Sequence, residues 1–133
     1  MAVFLSHSPD ETLAWAENYA KSLKPGDVVL LDGNMGAGKT VLAKGIAKGL
    51  GIRAEITSPT YAYVNSYDNT LFHFDCYRIV SERQAFELGL FDYFDAGGIC
   101  LIEWSENISG LLPKNCKRIT IAGQGDGVRE ILS

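Results

Sequence analysis

One uninterrupted motif constrains the fold of this chain more than any other feature. It matches the pattern GxxxxGK[ST] and consists of Gly33, Asn34, Met35, Gly36, Ala37, Gly38, Lys39 and Thr40. In such a turn the glycines let backbone N–H groups curl toward an anion, and the following helix directs its positive end at the same phosphates. The lysine contacts the β and γ phosphates, and the threonine hydroxyl is a ligand for Mg²⁺. The motif therefore predicts that the chain binds a nucleoside triphosphate.

The sequence on both sides of this motif is what a phosphate-binding loop requires. The segment Asp27–Asp32 reads DVVLLD, which is typical of a short buried strand. Lys39 opens a predicted helix that has Leu42, Ile46 and Leu50 on one face. A strand before the motif and a helix after it distinguish a phosphate-binding loop from an ordinary glycine-rich turn.

The remaining predicted elements make an α/β protein. Ser8 is predicted to cap a first helix that Pro25 and Gly26 end, and Ser81 to cap a helical segment that reaches Leu88. Strands are predicted at residues 62–64, 71–74, 99–102 and 118–122. We expect a P-loop NTPase sandwich, with a largely parallel central sheet flanked by helices and some antiparallel strands. We also expect a single domain over residues 1–133, with a loose polar tail after about residue 123.

Composition excludes several functional classes. The chain has 12 Lys and Arg against 16 Asp and Glu, a net charge of −4. Binding to a nucleic-acid backbone needs clustered positive charge, so we expect no unaided contact with nucleic acid. The longest aliphatic runs, Val28–Leu31 and Ile99–Ile102, are too short to span a membrane, and the pattern of the first eight residues leads us to expect no secretory signal. Three cysteines without CxxC spacing indicate reduced thiols. These features favour a cytoplasmic protein without a membrane contact.

Two acidic residues at predicted strand ends are candidates to complete an Mg²⁺ site. Asp75 ends the segment LFHFD, and Glu103 ends the segment ICLIE. Either carboxylate can ligate or orient the metal while the other positions the attacking water, and spacing alone does not assign these roles. His73, inside the first segment, is predicted to be a buried core residue. Trp104 is predicted to be either a core residue or a lid over the nucleotide.

The motifs leave more than one activity open. A GTPase needs an NKxD segment to read guanine, and the chain has none. A small-molecule kinase usually carries an arginine-bearing lid that excludes water, and no arginine-rich insert is present here. The kinase remains the alternative to an ATPase, and a nucleotide-gated binding module with negligible hydrolysis is a third reading.

Four motifs, in order and spacing, resemble the TsaE family. They are GNMGAGKT, SPTY at residues 58–61, HFDCYR at residues 73–78 and LIEW at residues 101–104. That family is the bacterial ATPase component of the machinery that makes threonylcarbamoyladenosine (t6A) in tRNA. The resemblance runs from about Ser8 to Trp104. Three positions depart from the family pattern: Val41 replaces a second hydroxyl residue, Cys76 replaces a leucine, and Val128 separates Gly127 from Arg129.

The resemblance implies roles for individual residues. Thr40 and Glu103 are expected to ligate Mg²⁺, and Asp75 is expected to act with Lys39 and Glu103 in hydrolysis of ATP. Ser58 and Thr60 are expected on a switch loop near the γ-phosphate. Nucleotide binding is assigned to Gly33, Asn34, Met35, Gly36, Ala37, Gly38, Lys39, Thr40, Val41 and Trp104.

The resemblance also implies partners for this chain. Family members are weak ATPases alone and act on a complex of TsaB and TsaD, in which TsaD performs the threonylcarbamoyl transfer. ATP hydrolysis then resets the complex between turnovers. Contact with tRNA is expected only indirectly, through that complex, which agrees with the acidic composition.

Overall fold

The computed structural model describes residues 2–34, 38–57 and 62–133. Within these ranges seven strands form one sheet in the order β1-β7-β6-β2-β5-β4-β3, mostly parallel in its centre. The strands are β1 (Val3–Ser6), β2 (Val28–Asp32), β3 (Val64–Tyr67), β4 (Leu71–Asp75), β5 (Ile99–Glu103), β6 (Lys117–Gly125) and β7 (Val128–Leu132). The helices are α1 (Pro9–Ala20), α2 (Lys39–Gly49) and α3 (Glu82–Glu87), with 3₁₀ segments at Leu90–Asp95 and Ser105–Leu111. The predicted α/β fold class is confirmed.

The chain divides into two compact units. The first unit contains residues 1–23, 31–57 and 118–133, and the second contains residues 24–30 and 58–117. The expectation that residues 1–133 act as a single domain stays a prediction. No helix in the described ranges is both long enough and apolar enough to cross a membrane.

Helices α1 and α2 pack together in the first unit. Ser8 caps α1, as the sequence predicts, but the helix ends at Ala20, before Pro25. A Cβ on Gly45 of α2 would lie 2.5 Å from Ala16 Cβ and 2.7 Å from the Leu13 carbonyl oxygen of α1. Only a glycine permits this approach, so the helix pair depends on the missing side chain.

The segment after residue 123 differs from the loose tail that the sequence predicts. Strand β6 continues to Gly125, and β7 pairs antiparallel with both β6 and β1. The pairing of β1 with β7 joins opposite ends of the chain, as in Val3 opposite Leu132. Ile131 is fully buried and anchors the strand. The local sequence is polar and contains glycine, so it does not predict a strand. Strand β7 forms because it pairs with β6 and with β1, which is distant in the chain.

Strands β4 and β5 position the acidic residues of the second unit. They are parallel, while β3 is antiparallel to β4 and starts at Val64, two residues later than predicted. Phe72 and Phe74 of β4 belong to the apolar core cluster of this unit, with Cys100 and Ile102 of β5. Because side chains alternate across a strand, residues 73, 75, 101 and 103 lie on the opposite face of the sheet.

Candidate functional site

The turn into α2 is the described part of the predicted phosphate-binding loop. Gly38 precedes the helix with φ 110° and ψ 15°, in the left-handed region. A Cβ at this position would also lie 3.0 Å from Ile121 Cδ1 of β6. The left-handed backbone therefore favours glycine here, and a Cβ would in addition displace the end of the Ile121 side chain. Some predicted site residues lie outside the described ranges, namely Met35, Gly36, Ala37, Ser58 and Thr60.

The first turn of α2 has the features of an anion-binding helix end. Gly38 provides no side-chain cap, and the turn holds no acidic residue. Lys39 occupies the first helical position and is 8% exposed, although a cation at the positive end of a helix is unfavourable. Thr40 beside it is exposed. Uncapped N–H groups and a buried cation at the same helix end are suited to binding phosphate.

A cavity of about 300 Å³ adjoins this turn within the first unit. It is bounded by the start of α1, the start of α2 and the turn between β6 and β7, through Ser8, Pro9, Thr12, Gly38, Val41, Gly127 and Arg129. Its volume lies at the lower end of the range for small-molecule sites. Arg129 therefore lines the same cavity as Gly38 and Val41. The presence of Val128 between Gly127 and Arg129 does not move Arg129 out of this cavity.

The two predicted strand-end acids are neighbours in the second unit. The register of β4 and β5 places Asp75 directly opposite Glu103. Asp75 Oδ1 accepts a hydrogen bond from the Tyr77 backbone N–H at 3.0 Å, which fixes the turn after β4. Burial raises the pKa of the adjoining Cys76 thiol to about 12, and the charges of both carboxylates add to this effect. Asp75 and Glu103 therefore end adjacent parallel strands at the same edge of the sheet.

Glu103 also contacts His73, a pairing that the sequence did not predict. His73 Nε2 lies 2.7 Å from Glu103 Oε2, and the two side chains are 3% and 12% exposed. His73 is buried, as predicted. It is more than a core residue, because its ring is hydrogen-bonded to the candidate site residue Glu103. The two residues are 30 positions apart, so only the parallel register of the strands reveals their contact.

Trp104, directly after β5, has an unusual backbone conformation. Its φ is 59° and its ψ is 42°, and a left-handed conformation of this kind costs about 1–3 kcal/mol for a bulky residue. The ring lies 4.9 Å from the Tyr77 ring, centroid to centroid, and packs against the core cluster. The structure therefore gives Trp104 a packing role, and its contact with nucleotide stays a prediction.

Comparison with known proteins identifies the family. A family model described as threonylcarbamoyl adenosine biosynthesis protein TsaE matches residues 6–131. The chain belongs to the TsaE family. The family resemblance of the four sequence motifs is therefore confirmed.

Individual TsaE relatives match along most of their length. The protein named TsaE in Bacillus subtilis is 43% identical over 127 residues, covering 93% of this chain and 79% of the relative. The protein named TsaE in Treponema pallidum is 40% identical over 129 residues, covering 96% of each chain. The crystal structure of Bacillus subtilis YdiB superposes with a TM-score of 0.80 at 38% identity, covering 98% of this chain and 82% of that one.

Proposed function

We propose that this chain is the Mg²⁺-dependent, ATP-hydrolysing component of the machinery that makes t6A in tRNA. One observation carries the nucleotide-binding part of this proposal: Lys39 is buried at the uncapped N-terminus of α2. The names of the TsaE relatives support the pathway, because they describe proteins of threonylcarbamoyladenosine biosynthesis.

The nucleotide is held mainly by the first unit. Backbone N–H groups at the start of α2 bind the phosphates, and Lys39 adds a positive charge at the β and γ positions. Gly33, Asn34, Met35, Gly36 and Ala37 complete the phosphate cradle. The cavity beside Val41 receives the nucleoside, with Arg129 at its wall. Trp104 is proposed as a further nucleotide contact.

The proposed metal ligands are oxygen donors, as Mg²⁺ prefers. They are the Thr40 hydroxyl and the Glu103 carboxylate. No cluster of three His, Cys, Asp or Glu side chains suited to a metal occurs in the described residues. Mg²⁺ in nucleotide sites is typically bound by one or two protein oxygens together with substrate phosphates and water. Bound Mg²⁺ would neutralise part of the negative charge of the phosphates. Asp75 orients the attacking water.

The proposed partner is the complex of TsaB and TsaD. We expect hydrolysis to be slow in the isolated chain and faster with both partners, with Ser58 and Thr60 on the responding switch loop. The excess of acidic over basic residues suits a protein that reaches tRNA only through its partners.

Substitution of the acids separates binding from turnover. We expect Glu103→Ala or Asp75→Ala to retain much of the ATP affinity, measured by calorimetry, and to lower phosphate release by at least about 100-fold, because each removes a group that acts on the reacting phosphate or water. Asp92→Ala, which removes an exposed acid of the same unit, is the matched control. Wild-type turnover in both acid variants would contradict the assignment. Transfer of labelled γ-phosphate to a metabolite, without partner proteins, would favour the small-molecule kinase instead.

A further inference from the structure

We propose that His73 is a positioning residue that holds the Glu103 carboxylate in one orientation. The proposal rests on the proposed function, in which Glu103 is a ligand for Mg²⁺. It adds a role for a residue that the sequence assigns only to the core.

The chemistry of the two groups gives the direction of the hydrogen bond. An ionised carboxylate can only accept, so His73 Nε2 carries the hydrogen and donates to Glu103 Oε2 at 2.7 Å. His73 lies opposite Leu101 in the parallel register, and Glu103 is two residues further along β5. The bond is therefore a diagonal link between adjacent strands on one face of the sheet.

Packing alone does not account for an imidazole at this position. His73 is 2% exposed, and its strand neighbours Leu71 and Leu101 are fully buried. Its second nitrogen, Nδ1, has no hydrogen-bond partner anywhere in the described ranges. A buried polar atom without a partner destabilises the fold, and an aliphatic side chain would avoid that cost. Within the described ranges, the hydrogen bond of the His73 side chain goes to Glu103.

A carboxylate held in this way is prepared to bind a cation. The Glu103 side chain has three rotatable bonds, and the contact with a buried, fixed ring selects one orientation among them. A carboxylate has about four acceptor positions, so the bond from His73 leaves capacity for a metal. Partners that orient a metal ligand in this way typically change metal affinity or activity by about 10–100-fold when they are removed.

The first test measures the contact itself and needs no nucleotide. The chain has two histidines, and His7 is exposed, so the ¹⁵N resonances of His73 can be assigned by comparison with His73→Gln. We expect the hydrogen of His73 to be on Nε2 in the nucleotide-free protein. A hydrogen on Nδ1 alone would overturn the proposal, because Nε2 would then have nothing to donate.

The second test measures the consequence for the metal. Mn²⁺ binding to the ADP complex is followed by electron paramagnetic resonance, in wild type, His73→Leu and His73→Gln. We expect His73→Leu to weaken Mn²⁺ binding by about 10–100-fold while ADP affinity without metal stays unchanged. His73→Gln, which carries an amide donor near the position of Nε2, is expected to recover most of the loss.

Leu101→Val is the matched control for the metal measurement. It removes a methylene from the neighbouring buried position without removing the donor to Glu103. Equal Mn²⁺ affinities in His73→Leu and Leu101→Val would overturn the proposal. Should His73→Leu not fold, His73→Asn takes its place, because its shorter amide does not reach Glu103. A wild-type chain that binds no nucleotide would contradict the proposed function, and the imidazole measurement would still decide the contact.

Discussion

Helices α1 and α2 pack against each other in the first unit, yet their N-termini are built in opposite ways. Ser8 caps α1 by accepting a hydrogen bond from the Glu11 N–H, and acidic residues occupy its first turn. Helix α2 has Gly38 at its N-cap position, with no side-chain cap, and the buried Lys39 is its first residue. A side chain caps the first helix, whereas no side-chain cap is present at the start of the second. Within the described ranges, the helix end without a side-chain cap is the one that follows the glycine-rich motif.

Helix α3, in the second unit, follows the design of α1. Ser81 Oγ accepts from the Gln84 N–H, and Gln84 Oε1 accepts from the Val80 N–H at 2.8 Å. Because Gln84 returns to the N–H of Val80, the residue before the N-cap, this pair is a variant of the capping box, in a helix of only six residues. Of the three α-helices in the described ranges, α2 alone lacks a cap, which makes its start the informative place for substitutions.

Among the substitutions at helix N-termini, Lys39→Ala is expected to have the largest effect on ATP affinity. Removal of the cation should lower ATP affinity by at least about 100-fold, because a charged group at the phosphates is lost. The free energy of unfolding without nucleotide should change by only about 1 kcal/mol, since the substitution removes a cation that opposes the helix dipole and also removes the contacts of a buried side chain. Calorimetry and urea unfolding measure the two quantities. Lys44→Ala, on an exposed face of the same helix, is the control, and an unchanged ATP affinity in Lys39→Ala would contradict the account.

Gly38→Ala tests whether the backbone at the start of α2 matters independently of the lysine. The positive φ costs about 1–2 kcal/mol in unfolding free energy, and the contact with Ile121 adds to it. Gly51→Ala is the matched control, because it has φ 81° but nothing within 4 Å of a new Cβ. We expect Gly38→Ala to unfold at lower denaturant concentration than Gly51→Ala and to lose ATP binding as well. Equal stability and equal ATP affinity in the two variants would remove the special role of Gly38.

Ser81→Ala is expected to have the smallest effect and to act on stability alone. Loss of the cap of α3 should lower the free energy of unfolding by about 1 kcal/mol, while ATP affinity stays at the wild-type value. Ser81→Asp, which retains an acceptor at the cap, should be close to wild type. A large loss of ATP affinity in Ser81→Ala would mean that capped and uncapped helix ends are not functionally distinct.

Local signals made part of this molecule predictable. The strand before the glycine-rich motif, the helix after Lys39, and the caps at Ser8 and Ser81 are each encoded within a few residues. Strand-end positions for Asp75 and Glu103 also followed from short apolar runs, and both residues do end their strands.

Features that depend on distant partners were not predictable. Strands β1 and β7 are ordered by pairing between the two ends of the chain, which no local pattern reports. The contact of His73 with Glu103 depends on the register of two parallel strands, and a one-residue shift would remove it. The predicted roles at Ser58 and Thr60 lie outside the described residues and stay predictions.

Phosphate release from Mg·ATP tests the central claim most directly. The purified chain is measured alone, with TsaB and TsaD together, and with Lys39→Ala in place of wild type. We predict slow release by the chain alone, a sharp rise when both partners are present, and no rise for Lys39→Ala. Equal rates with and without the partners would contradict the account of a partner-stimulated ATPase in t6A synthesis.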